Sequence, residues 1–165
     1  AKRTVTLIEV LNTGATIGMF ATDTWHNNRK VYGDGESFLF RLQPEPVCFH
    51  WAHDITSSMR ILSLESEDSS VDEGIKNEAL LDQFQISRHN FISMGSNEDG
   101  SSGLRLNEDL SKGSSARARG FNNEPLAGEN HPEFDVGLVE VYQLVREIDG
   151  RPIDGEEDIW KGMFD

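Results

Sequence analysis

Apolar and polar positions alternate with a period of two along much of this chain, the spacing of strands rather than helices. Thr4–Val10 and Ala15–Thr22 are rich in β-branched residues and are separated by Asn12-Thr13-Gly14, which predicts a hairpin. Ser37–Leu42 places Phe38, Phe40 and Leu42 on one face and is stopped by Pro44-Glu45-Pro46. Val47–His53 alternates again, with Val47, Phe49 and Trp51 pointing one way. Ser70-Val71-Asp72-Glu73 then reads as a capping box, opening a helix that runs to about Phe84. Further strands are predicted near His89–Met94, Gly103–Leu106 and Ser115–Phe121, divided by turns of Gly, Asn, Asp and Ser. Phe134–Val145 carries the strongest strand pattern, with Leu138, Tyr142 and Leu144 on one face and Val139, Val141 and Val145 on the other. Two apolar faces predict a central strand covered on each side. At the end, Asp154-Gly155-Glu156-Glu157 precedes Ile159, Trp160, Met163 and Phe164, a second capping box and a short helix. Many short strands and few helices predict a mostly β fold, a β-sandwich of two antiparallel sheets flanked by a few short helices.

Composition narrows the function classes. A chain of 165 residues with nine phenylalanines suits one domain with a core of its own. Its single cysteine, Cys48, leaves no internal disulfide and favours a reducing compartment. No apolar run approaches the roughly 18 residues of a membrane helix, and Glu9 interrupts any signal-peptide pattern. The chain starts without Met and already inside a strand pattern, so a piece of a longer protein is expected. A formal net charge of −14 repels both the phosphate backbone of nucleic acids and anionic membrane. The acidic blocks Glu65–Asp82 and Glu147–Asp158 read as solvated surface, with residues 65–84 an acidic insert, helical or flexible.

Several residue types here are capable of chemistry. Cys48, His50 and His53 are zinc-ligand types, but on a strand His53 faces away from the other two, and no second Cys/His pair completes a site. Cys48 is therefore expected to be a small buried hydrophobe. The Asp149–Asp158 run fits no EF-hand spacing, and turn chemistry explains its two Asp-Gly pairs. Gly14–Gly18 lacks the Gly-Lys-Ser/Thr of a phosphate cradle, and no Gly-x-Ser-x-Gly elbow is present. Hence no metal, cofactor or nucleophile is expected. Arg117 and Arg119 alternate with Ala116, Ala118 and Gly120, giving one small face and one basic face for solvent or an acidic partner. Glu36 follows the Gly33-Asp34-Gly35 turn at a strand entrance, and Glu140 lies in the strand expected to be buried. The two carboxylates either satisfy backbone groups or, if about 5–9 Å apart, form an acid/base pair.

These stretches together resemble the TLDc domain family. Gly18-Met19-Phe20-Ala21 followed by Trp25 is similar to the family's Phe-Gly-Ala…Trp segment, and Tyr32–Phe40 to its most recognisable stretch. Leu104–Leu110 with Gly113-Ser114 resembles its Leu-x-Leu-Asp-x-x-Leu…Gly-x-Ser segment. Phe121–Leu126 and Phe134…Val139-Glu140-Val141-Tyr142 resemble its closing blocks. Arg41–Glu45 and the long tract after it are similar to Skywalker-type members, which carry a Rab GTPase-activating TBC domain ahead of the TLDc domain. Three features depart from the pattern: a longer, polar Met94–Gly103 segment, Ala118-Arg119-Gly120-Phe121 in place of Cys-x-Thr-Phe, and no opening helical segment.

The resemblance implies a non-catalytic interaction module, linked to oxidative-stress resistance and to binding of vacuolar-type proton pump subunits. Through a parent protein it implies an attached TBC domain, small Rab-type GTPases, and a cytoplasmic place on vesicles or presynaptic endosomes. The partner surface is expected around Gly33, Asp34, Gly35 and Glu36 and on the Arg117/Arg119 face, with Glu140 structural or partner-facing. Two alternatives stand beside it: regulation of an attached TBC domain in cis, and an enzyme using Glu36 and Glu140.

Overall fold

The alternating stretches become strands wherever an apolar row can be set against a neighbour's. β1 (Arg3–Val10) and β2 (Thr16–Ala21) form the predicted hairpin, and β3 (Phe38–Gln43) and β4 (Val47–His50) continue it. β5 (Gln85–Arg88), β6 (Phe91–Ser96), β7 (Ser102–Asn107) and β8 (Lys112–Ser114) form a second antiparallel run, and β9 (Glu133–Leu144) follows. β10 (Glu147–Ile148) pairs with β11 (Arg151–Pro152) as a separate two-stranded ladder. The computed structural model describes residues 2–51, 84–145, 147–148 and 151–152. The helices expected over 70–84 and at the end of the chain lie outside these residues, apart from Phe84, which is buried and not helical.

The two-sheet sandwich flanked by helices is not what forms. Strands β4-β3-β2-β1-β9-β8-β7-β6-β5 make one continuous nine-stranded antiparallel sheet, and no helix occurs among the described residues. The reason lies in the length of β9. Its first residues pair with β8 (Lys112↔Asp135, Ser114↔Glu133), and the rest pairs with β1 from Val136 to Leu144. One strand of 12 residues thereby joins two groups that separate sheets would have kept apart. Asn12, in the β1–β2 turn, fixes the point of exchange. Its side-chain oxygen accepts the Asp135 N–H at 2.6 Å, and its amide donates to the Asp135 carboxylate at 3.3 Å. Lys112 holds the same carboxylate at 2.8 Å from β8.

Burial follows the alternation. On β1, Thr6, Ile8 and Val10 face the core, and Arg3, Val5, Leu7 and Glu9 face outward. Ile8, Ile17, Met19 and Leu39 from one half of the sheet share a single apolar cluster with Met94, Leu104 and Leu106 from the other. Each such side chain contributes about 1.5–3 kcal/mol through removal from water. The halves touch where Gly103 replaces a side chain: a Cβ there would fall 2.5 Å from Leu39 Cδ1.

β9 departs from its predicted environment. It is central by pairing, and Phe134 lies in the core with Val136 and Val139 packed against it. Beyond them, Leu138, Tyr142 and Leu144 are each 51% exposed and Val141 is 58% exposed. The expected cover on both faces is therefore missing from the C-terminal half of the strand among the described residues.

Candidate functional site

The Gly33–Glu36 turn is built from buried polar groups underneath and open carboxylates above. Thr22 and Ser37 are buried and share a 3.1 Å hydrogen bond between their hydroxyls. The Thr22 hydroxyl also accepts the Asp34 N–H at 3.1 Å. Asp34 then closes the turn. Its carboxylate accepts the Glu36 N–H at 2.9 Å, and its carbonyl accepts the Ser37 N–H at 3.0 Å. This is the Asx-turn chemistry of a short polar side chain bonding two residues on. Gly33 has φ +85°, and a Cβ there would lie 2.7 Å from Gln85 Oε1, so both backbone angle and space call for glycine. At Gly35 space alone is the reason: a Cβ there would fall 2.4 Å from the Trp51 ring.

The turn is anchored from β5. Tyr32 and Gln85 exchange main-chain hydrogen bonds of 3.0 and 2.9 Å. The fully buried Gln85 side chain accepts the Asp23 N–H and donates to the Asp23 carbonyl, both at 3.0 Å. Arg88 donates to the carbonyls of Asn28 and Arg29. The Tyr32 hydroxyl donates to the His26 carbonyl and accepts the His26 N–H, both at 3.2 Å, and burial pushes its pKa up. Residues 23–36 thus form a loop pinned at several points, with Asp34, Gly35 and Glu36 exposed.

Glu36 does not cap the turn, because Asp34 already does so. It reaches across to β1 and pairs with Arg3 at 2.6 Å, an exposed ion pair. Glu140 also lies beside β1, opposite Leu7, on the outward face. It is exposed, and its negative charge and hydrogen bond push the Tyr142 phenol up. Arg3 and Leu7 stand four residues apart on β1, about 13 Å along a strand. Two clefts, one between β7, β8 and the start of β9 and one beside Asn97, are lined by neither Glu36 nor Glu140.

The model of the TLDc domain matches residues 1–145 of the chain. The chain belongs to the TLDc domain family. It is 28% identical to TBC1 domain family member 24 of Xenopus laevis and 27% identical to that of Xenopus tropicalis. Both alignments cover 83% of the chain. It is 28% identical to Oxidation resistance protein 1 of Kluyveromyces lactis over 79% of the chain. The chain spans only 29% of the length of the two Xenopus relatives and 50% of the yeast one.

In this TLDc domain, Arg117 and Arg119 lie in the loop after β8, not on the strand expected over Ser115–Phe121. The alternation persists without a ladder: both arginines are exposed, and Ala118 between them is fully buried. Asn97 holds this loop by donating to the Arg117 carbonyl at 2.8 Å and accepting the Arg119 N–H at 3.2 Å. Buried Asn123 holds it from beneath by accepting the Ala118 N–H at 2.9 Å. Arg119 shares a shallow cleft of about 280 Å³ with Glu98 and Asp99, so the expected basic face carries carboxylates as well. The structure thus brings Gly33–Glu36 to Arg3 and places Glu140 on the same outward face of β1, while Arg117 and Arg119 lie on the loops of the other half of the sheet.

Cys48 is exposed rather than buried. It sits on edge strand β4, where Val47 and Phe49 take the inward positions, and its Sγ lies 3.3 Å from His50 Nε2. Partial shielding from water pushes the thiol pKa up. His53 lies outside the described residues. Gln85, Arg88, Asn97 and Asn123 organise both loops and carry no motif for chemistry or binding in the sequence. Asn123 stands inside the Phe121–Leu126 block, whereas Gln85 and Arg88 fall between the helix expected to about Phe84 and the strand expected from His89.

Proposed function

We propose that this TLDc domain is a non-catalytic protein-interaction module of a vesicle-traffic regulator. One observation carries the proposal: a turn that presents the carboxylates of Asp34 and Glu36 to solvent on a backbone fixed by buried Thr22, Ser37 and Gln85. A pre-ordered loop loses less freedom on binding than a mobile one, so it suits recognition. The partners proposed are subunits of the vacuolar-type proton pump, with Rab-type GTPases reached through an attached TBC domain. The names of the relatives support a link to TBC-containing proteins and to oxidation resistance. An enzyme working through Glu36 and Glu140 is less well supported, since both are exposed, Glu36 is paired with Arg3, and they lie near different positions along β1.

The test is capture of proton pump subunits from vesicle lysate, using wild type, Glu36→Ala and the double variant Arg117→Ala/Arg119→Ala. Subunits retained by wild type and lost from variants with unchanged melting support the proposal. Loss that always accompanies unfolding would make these residues scaffold. Regulation of a TBC domain in cis gives a third pattern: no capture, but altered GTPase activation by the parent protein when the same residues are replaced.

A further inference from the structure

Three strands bring rows of charged and polar side chains to the cleft between β7, β8 and the start of β9, a space of about 400 Å³. Register sets Arg105 opposite Ser114 and Ser114 opposite Glu133, while Lys112 stands opposite Asp135 in the next row. The second row is closed on itself, because Lys112 and Asp135 form an ion pair at 2.8 Å. The first row is open. Among the described residues neither Arg105 nor Glu133 has an ion-pair partner. Arg105 is half-buried, and its guanidinium lies over the Phe91 ring, 3.8 Å from the centroid. Stacking fixes the plane of the group and leaves the N–H donors at its edge for an acceptor.

We infer that this cleft binds an extended peptide segment of a partner protein carrying an acidic and a basic residue two positions apart. The inference rests on the interaction-module reading and adds a surface distinct from the Gly33–Glu36 turn. Arg105 supplies a preset fork for a carboxylate. Glu133, exposed on the far side of Ser114, supplies the acceptor for an ammonium or guanidinium group. The two stand two strands apart, about 10 Å between their backbones, so a small zwitterion such as a free amino acid cannot reach both. Residues two apart on an extended chain share a face about 7 Å apart, and side-chain length covers the rest. β8 is paired on both sides, so the peptide is held by side chains and not added as a strand. Glu133 and Asp135 in the same cleft oppose a dianion such as phosphate, which selects a carboxylate. The net charge of −14 opposes a second copy of this chain as the source.

The experiment titrates the full chain with three short synthetic peptides that differ only in their charged pair: Asp-x-Lys, Asp-x-Asp and Lys-x-Lys. Affinity is read from the amide NMR shifts of Arg105, Ser114 and Glu133, so that binding elsewhere on an acidic chain is not counted. Wild type should prefer Asp-x-Lys to either of the others by about fivefold or more. Glu133→Lys should move the preference to Asp-x-Asp, and Arg105→Glu should move it to Lys-x-Lys. Neither exchange depends on which way the peptide runs. Glu133 is exposed, so its variant keeps the wild-type melting temperature. If Arg105→Glu unfolds, Arg105→Gln should lose the preference for Asp-x-Lys over Lys-x-Lys. Equal binding of the three peptides by wild type, or an unchanged preference in Glu133→Lys, would overturn the inference. So would displacement of Asp-x-Lys by an equal concentration of inorganic phosphate. If no peptide binds while pump subunits are still captured in a manner that depends on Glu36, the inference fails and the module reading stands.

Discussion

At the scale of single residues, the polar side chains that shape the loops and those that face solvent are different residues with different energetics. Asn123 is fully buried and makes three hydrogen bonds of 2.9 Å, to the Ala118 N–H and to the carbonyls of Ala116 and Glu124. Replacing it with alanine leaves buried backbone groups unpaired, so Asn123→Ala should cost roughly 2–4 kcal/mol. Gln85→Leu removes both bonds to Asp23 and should cost roughly 1–3 kcal/mol, loosening the loop over residues 23–36. Glu36 belongs to the other kind: its pair with Arg3 is more than half exposed on both sides. Glu36→Ala should cost at most about 1 kcal/mol. Urea denaturation of the three variants checks the ranking, and a large loss for Glu36→Ala would return that residue to the scaffold. Glu36 was legible in the sequence as a residue of interest, because a Gly-Asp-Gly turn delivers it. That Asp34 would close the turn instead was not, since either carboxylate can accept a nearby N–H and only the folded geometry selects between them.

At the scale of elements, the exchange of partners along β9 is the feature that most organises the fold. Asp135 sits at the exchange, and Lys112 and Asn12 hold its carboxyl below the usual range, while Asp135 pushes the Lys112 ammonium up. The depressed carboxyl contributes stability above the ordinary aspartate pKa of about 3.9, and this is lost as pH falls through the depressed value. The raised lysine contributes below the ordinary lysine pKa of about 10.4, and this is lost as pH rises through the raised value. Wild type should therefore exceed Asp135→Asn in denaturation midpoint at neutral pH, and the gap should close in strong acid. A gap independent of pH would mean that the ion pair contributes nothing at the junction. The hairpin of β1 and β2, the β3 strand and β9 itself were legible, because each is long enough for period two to show and is bounded by turn residues. β5 and β8 were not. They have four and three residues, too few to display a period, and Gln85 and Ser87 of β5 are buried polar residues.

At the scale of the whole molecule, alternation tells which residues of a strand face inward but not which strand lies next to it. The same pattern serves two stacked sheets or one continuous sheet, and the choice fell on β9 pairing with both groups. The family was legible because its blocks combine turn glycines, buried aromatics and polar anchors in a fixed order, and the match over residues 1–145 bears this out. The exposure of β9 was not legible, since it depends on what covers the sheet rather than on the strand's own sequence. The central claim is that a domain of net charge −14 acts by binding through pre-ordered, outward-facing residues. Calorimetric titration of the chain into the purified peripheral sector of a vacuolar-type proton pump, with wild type and Glu36→Ala side by side, tests it most directly. Saturable binding by wild type, weakened about tenfold or more in a variant whose melting is unchanged, is the predicted result. No heat of binding from wild type, or identical isotherms for the two proteins, would contradict it.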